Sequence, residues 1–314
     1  MATIAPPAEA QYADAVAGTI RRGGRLRNFD GLFKGILLFS LLTCLAFLMI
    51  LLADVLDGGW STLADRGTSF LTSGTSSNAA SAGVWQGLKG STIIAVFVMG
   101  VAIPIGVATA VYLEEYAPDN RMTRWIDVNI RNLAGVPSVV YGILGLALFV
   151  KFGGPITGGR SVISAGLTMS LLVLPLVVMT AAEAIRSVPA SLREGGYGVG
   201  ATQWEVTREL VLPAARGGIL TGVVLSLGRA LGETAPLILV GAQTGFFSTG
   251  NAGWTAEFTG PFTALPMLVY HWARQPGGDF GALVSAAIIV LLAITLVFNA
   301  SAIVLRARAG KRTR

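Results

Sequence analysis

The chain has 314 residues, 53% of them hydrophobic and 13% charged, with a formal net charge of +6. Soluble domains carry about 25% charged residues, so this composition excludes an ordinary soluble protein and points to one embedded in lipid. The basic residues sit in short flanks beside apolar runs, not on a face interleaved with aromatics. That pattern argues against nucleic acid and makes membrane lipid headgroups the expected counterions.

Cys44 is the single cysteine and His271 the single histidine. An internal disulfide is impossible, and a His/Cys metal cluster lacks ligands, so no metal site and no catalytic residue is expected. Cys44 reads as a packing residue and His271 as an interfacial or loop imidazole beside Trp272.

A basic segment, 1–31, opens the chain and precedes the first apolar run, 35–53. Arg21 and Arg22 hint at a twin-arginine signal, but the run exceeds the apolar core of a signal peptide and no convincing A-x-A site follows. It reads as a retained helix. The Ser/Thr-rich stretch 60–87, with STLADRGTSFLTSGTSSNAASAG, reads as an exposed outer loop. Further apolar runs follow at 90–113, 132–150, 161–182, about 217–240 and 280–305. Each can cross about 30 Å of hydrocarbon at about 1.5 Å per residue. They show no period-two alternation, and unpaired backbone groups are costly in lipid, so helices are expected. The predicted fold is an all-α bundle of six transmembrane helices over 32–307, closed by a basic tail at 308–314.

Basic residues crowd the N-terminal flank, the second-to-third and fourth-to-fifth connections and the tail RARAGKRTR. The opposite side holds Arg66, Lys89, Lys151, Arg160 and Arg274. The excess predicts that both termini are cytoplasmic. Glu114 and Glu115, after the second span, read as solvated flank residues. GPITGGRS, 154–161, imitates a phosphate-binding loop but joins two spans and lacks the motif's lysine, so it reads as a Gly/Pro turn. Between the last two spans, 241–279 carries Trp254, Phe258, Phe262, Tyr270 and Trp272 around LPMLVYHW, which suggests an outer interfacial or re-entrant helix.

The fourth-to-fifth connection, EAIRSVPASLREGGYGVGATQWEVTRELVLPAAR, is strongly patterned. Ser191 to Glu194 and Thr202 to Glu205 both fit a capping box, which predicts two short helices separated near 198–201, where glycines permit a sharp bend. Trp204, Leu210 and Val211 offer apolar anchors. Glu183 and Arg186 form an opposite-charge pair at its start, either an ion pair at the interface or a secondary contact in a pathway.

The fifth span contains GRALGETAPL, 228–237, with Arg229 and Glu233 four residues apart in an apolar setting. A mid-span charge costs about 2.5–3.5 kcal/mol on insertion scales, so both should face protein, water or a partner. On one helix face they can neutralise each other as a bundle-holding pair. Alternatively, Arg229 can grip two oxygens of an oxyanion. Glu233 can then accept a hydrogen bond from the hydroxyl that phosphate retains near neutral pH and sulfate lacks, and Thr234 can add a hydroxyl. Gly228 and Gly232 permit close helix approach, and Pro236 should bend or end the helix.

These motifs carry a family resemblance. Glu194-Gly195-Gly196, then Gly200, then Leu210-Val211-Leu212-Pro213 resembles the E-A-A-x-x-x-G-x(9)-I-x-L-P loop of ABC-importer permeases, with glycines at 195 and 196 where alanines are usual and Leu210 where isoleucine is common. RALGETAPL and NLAGVPSVVYGILG, 132–145, are similar to phosphate-specific permeases of the PstA type. The resemblance covers about residues 90 to 314. It implies a type I, MetI-like permease bundle in a bacterial cell membrane, importing inorganic phosphate, with Arg229, Glu233 and Thr234 in the substrate pathway. It also implies that Glu194, Gly195, Gly196, Gly200, Leu210, Leu212 and Pro213 belong to the element that docks on the ATPase. The implied partners are a PstC-like sister permease, two copies of a PstB-like ATP-binding subunit and an external PstS-like phosphate-binding protein. ATP and Mg belong to the partner ATPase, and no cofactor is expected in this chain. An importer of sulfate or molybdate is the alternative within the class; a proton-driven carrier using Glu233 and a scaffold without cargo are the alternatives outside it.

Overall fold

The apolar runs become helical, two of them with a break before a proline, because only internal hydrogen bonding spares the backbone in hydrocarbon. The computed structural model describes residues 8–242, 258–276, 278 and 280–310, and among them every regular element is helical. The side chains of Arg21, Arg22, Arg25 and Arg27, the residue Trp254 and the end of the basic tail lie outside the described residues. Two units are distinguished, Met1–Val55 and Leu56–Arg314. The first belongs to helix α1, Ala8–Arg66, where Leu32, Phe39, Phe47 and Leu51 are exposed, a surface suited to hydrocarbon.

The second unit continues with α2 (Thr68–Thr72), α3 (Trp85–Tyr116), α4 (Arg121–Ala134) and α5 (Ser138–Phe152). Then come α6 (Gly154–Thr157), α7 (Val162–Arg186), α8 (Ala190–Gly198), α9 (Gln203–Gly232) and α10 (Ala235–Val240). After the segment outside the description come α11 (Leu265–Trp272) and α12 (Gly281–Gly310). Among the described residues five helices are long and apolar enough to cross a membrane, and α4 with α5 forms a bent sixth candidate. The chain is a multi-pass membrane protein.

Helix α7 is the axis of the second unit. Met169, Val173 and Val177 on it are buried, and neighbouring helices approach it through glycine. A Cβ on Gly106 of α3 would lie 2.6 Å from Val177, one on Gly145 of α5 2.1 Å from Thr168, and one on Gly222 of α9 2.1 Å from Thr180. Small residues are the usual means of close helix packing in lipid, where burial of apolar surface supplies little force between helices. The hydroxyls of Thr168, Ser170 and Thr180 are satisfied by carbonyls on the preceding turn of α7 itself.

Several expectations are corrected. The stretch 60–87 is not a plain exposed loop: α1 runs through Arg66, and Phe70, Ala82 and Val84 are buried against α11 and α12. The third run does not begin a straight helix at Asn132. Pro137 interrupts it, and α4 and α5 meet at 103°. The second short helix of the patterned connection is continuous with the fifth span, because a π-helical turn at Val206–Val211 takes up the missing amide of Pro213. A similar turn, Val98–Ala102, precedes Pro104 in α3. GPITGGRS is the single helical turn α6 followed by a turn with Gly158 and Gly159 at positive φ, and Ser161 caps α7.

LPMLVYHW does form a helix, α11, but one set into the core: Leu265, Met267, Leu268 and Trp272 are buried. Its entry is fixed at α3, where Ser91 Oγ accepts from the Leu265 amide at 2.9 Å. His271 lies within this helix beside Gln275, and burial lowers its pKa. At Gly90 a Cβ would stand 1.8 Å from the Thr263 carbonyl oxygen, a backbone atom that cannot swing aside. Gly90→Ala should therefore cost about 1–3 kcal/mol, as overpacking does, whereas Gly100→Ala, which meets open space, should not destabilise. Thermal unfolding of the two purified variants checks this; equal melting would refute the docking described.

Candidate functional site

Pro236 decides where α9 ends. Its ring would clash with the carbonyl four residues earlier, that of Gly232, and it offers no amide to bond it. The helix stops at Gly232, Glu233 turns extended with φ −82° and ψ 126°, Thr234 takes the N-cap position without a side-chain cap bond, and α10 begins at Ala235. Arg229 remains in the last helical turn, where its charge complements the free carbonyls of the terminus. Glu233 is thus not on the helical face expected for it, yet the side chains meet: Arg229 Nε lies 3.6 Å from Glu233 Oε1. The two side chains remain 37% and 25% exposed, so neither is sealed into a structural pair.

The small residues of this stretch act differently from expectation. Gly232 faces open space among the described residues, and Gly228 approaches only Asn299 of α12, at 3.9 Å from its Nδ2. The close approach falls instead on Gly142 of α5, where a Cβ would stand 2.8 Å from Pro236 Cα. This packs the broken segment against α5, whose Tyr141 donates to the Leu133 carbonyl at 2.8 Å. Asn299 escaped notice in the sequence; its Oδ1 is buried and has no hydrogen-bond partner among the described residues. A lone amide in an apolar last span was the available signal.

A second polar constellation lies where α3, α7 and α8 meet. Arg186 Nη2 contacts Glu114 Oε1 at 2.5 Å and Arg186 Nη1 contacts Glu183 Oε1 at 3.4 Å, while Arg131 Nη2 reaches Glu183 at 3.7 Å. Arg193 Nη2 donates to Glu115 at 2.8 Å and also to the Ile185 carbonyl, and Arg193 Nη1 to the Val188 carbonyl. Gln203 Nε2 donates to the Glu115 carbonyl. Glu114 and Glu115 are therefore not solvated flanks: the Glu115 side chain is 4% exposed. Glu114 ties the end of α3 to α7, and Glu115 ties it to both helices of the patterned connection. Sequence alone did not pair them because their partners lie more than seventy residues away.

Within that connection the Thr202–Glu205 capping box is formed, with Thr202 N donating to Glu205 Oε2 at 2.7 Å. The one expected at Ser191 is absent, because α8 starts at Ala190 behind Pro189. Gly200 makes the bend with φ +84°. Gly195 is open, but a Cβ on Gly196 would meet Leu210 and Val206 at 2.8 Å, so the helix pair is closely set there. Val211 is buried and Leu210, Leu212 and Pro213 are half-buried, whereas Glu194, Leu192, Tyr197, Val199 and Trp204 face outward.

With this geometry in view, comparison with known proteins is informative. Residues 102–311 match the family described as binding-protein-dependent transport system inner membrane component. The chain belongs to that family. A probable ABC transporter permease protein, YqgI, of Bacillus subtilis is 31% identical over 264 residues, covering 80% of this chain and 89% of its own. The phosphate transport system permease protein PstA 1 of Mycobacterium tuberculosis is 33% identical, covering 74% of this chain and 72% of its own. A PstC-named phosphate permease of Mesorhizobium japonicum is 28% identical over 93% of this chain and 95% of its own. Among solved structures, a bacterial alginate ABC transporter shares the fold with a TM-score of 0.63 at 16% identity, over 92% of this chain and 98% of that one.

The Glu115–Arg193 pair yields a prediction. Glu115→Gln leaves a largely buried guanidinium without its counter-charge, which should cost about 3 kcal/mol. Hydrogen exchange should then quicken selectively in α8, and unchanged exchange would show that the pair does not hold the connection.

Proposed function

We propose that the chain is one of two permease subunits of an ATP-driven importer that passes inorganic phosphate inward across the bacterial cell membrane. The observation that carries this reading is the Arg229–Glu233 pair, held at a break in a membrane-crossing helix with both side chains partly open. Relatives named as phosphate transport permeases, covering about three-quarters of the chain or more, support the choice of cargo. Arg229 binds two oxygens of the anion through its planar fork, and Glu233 accepts a hydrogen bond from the phosphate hydroxyl. A fully ionised sulfate leaves that carboxylate unsatisfied and repelled, which penalises it. Thr234, at the start of α10, adds a hydroxyl, and Glu183 with Arg186 serves the inner mouth of the pathway.

The partners follow from the same reading: a PstC-like sister permease, two PstB-like ATPase subunits that hold ATP and Mg, and an external PstS-like phosphate-binding protein. Both termini are cytoplasmic, in keeping with the basic flanks. The α8–α9 elbow is the docking element for the ATPase. Its outward Leu192, Tyr197, Val199 and Trp204 form an apolar surface of the kind that a partner cleft covers. Its polar tether to α3 and α7 passes motion of the docked subunit to the spans.

ATP-driven uptake by the reconstituted complex tests the site. Arg229→Ala should reduce phosphate uptake about 10- to 100-fold, the range for loss of a charge-assisted contact. Glu233→Gln, which can donate to an oxyanion as well as accept, should lose discrimination against sulfate while keeping measurable phosphate uptake. Undiminished uptake and unchanged selectivity in both variants would remove the pair from the pathway.

A further inference from the structure

Helix α4 has a face that the transport reading does not use. Asn120 caps its start by accepting from the Thr123 amide at 2.9 Å, so the helix is well formed from Arg121 onward. Its inner side is occupied, with Ile130 packed on the core, and at its edge Arg131 is held by Asp127 at 3.0 Å and Glu183 at 3.7 Å. Its outer side carries Met122 and Trp125, each 61% exposed, with Val128 and Leu133 also exposed. Arg121 and Arg124 stand beside them on the same exposed side. Among the described residues Arg124 meets Asp119, at 3.4 Å and in open solvent, a contact of little worth.

We infer that this face lies in the membrane surface and grips anionic phospholipid headgroups. Orientation is the first argument. Helix α4 meets α5 at 103°, so when α5 crosses the bilayer α4 runs nearly parallel to its plane. Chemistry is the second. An in-plane helix buries large apolar side chains at the headgroup boundary and presents arginine to the phosphates, which is the composition of this face. Charge is the third: three of the four ionic side chains on α4, Arg121, Arg124 and Arg131, are basic and exposed, and anionic lipid attracts the two beside Met122 and Trp125, Arg121 and Arg124. The acidic residue of the helix, Asp127, is partly exposed but neutralised by Arg131 at 3.0 Å.

The test uses the complex purified through the full chain, with Cys44→Ser removing its single cysteine. Spin labels are placed by Met122→Cys, Trp125→Cys and, as a water-facing control, Asp119→Cys. The complex is reconstituted in vesicles of phosphatidylcholine alone or mixed equally with phosphatidylglycerol. Labels at 122 and 125 should be more accessible to oxygen than to a nickel chelate, and their depth should increase with phosphatidylglycerol. Arg121→Gln with Arg124→Gln should abolish that increase, whereas lysine at both positions should retain it. Labels open to the chelate would place the helix in water, and labels closed to both reagents would show a protein covering it; either result overturns the inference. Equal depth in the two lipids would overturn the preference for anionic headgroups.

Discussion

Hydrocarbon tolerates no unpaired backbone, and Pro236 has no amide to pair. The candidate site follows from that constraint. The helix that would otherwise continue from Gly232 has to stop, and irregular backbone at membrane depth persists only where protein or water covers it. Gly142 lets α5 close over the break on one side, while the Arg229 and Glu233 side chains stay partly open on the other. A charge pair within a regular helix would be a strut. The same pair at a helix end has free carbonyls beside it, an extended residue carrying the carboxylate, and room for a third group.

The remainder of the second unit holds this break in place. Glycines on three neighbouring helices press against α7, so the bundle is set by backbone proximity more than by interlocking large side chains. Where α7 emerges, Arg186 and Arg193 reach across to Glu114 and Glu115 of α3, and the bond of Arg193 to the Ile185 carbonyl of α7 fastens α8 to the bundle. The patterned connection is therefore not a loose loop, and its second helix runs without interruption to the broken segment. A push on the α8–α9 elbow has a rigid path of about 45 Å, at 1.5 Å per residue, to the charged pair.

Much of this was legible in the sequence, and for identifiable reasons. Run lengths and the absence of period-two patterning sufficed for an all-α membrane bundle. GRALGETAPL located the charged pair because charge in an apolar span is costly, and Pro236 announced the interruption. The Thr202–Glu205 capping box is local and could be read directly; Ser191 misled because Pro189 already sets that helix start. Distant pairings were not legible. Glu115 and Arg193 are separated along the chain, and neither flank composition nor spacing brings them together. The burial of Phe70 and Trp272 beneath a Ser- and Thr-rich stretch was hidden in the same way, since composition there suggests exposure and only packing reveals the core.

The central claim is that Arg229 and Glu233 serve a bound anion and not only each other. The most direct measurement is a structure of the assembled importer with phosphate trapped in the membrane-spanning part. The account predicts density for the anion between the two side chains, with the guanidinium on its oxygens and the carboxylate facing its proton. A closed Arg229–Glu233 contact with phosphate bound elsewhere in the pathway would contradict it.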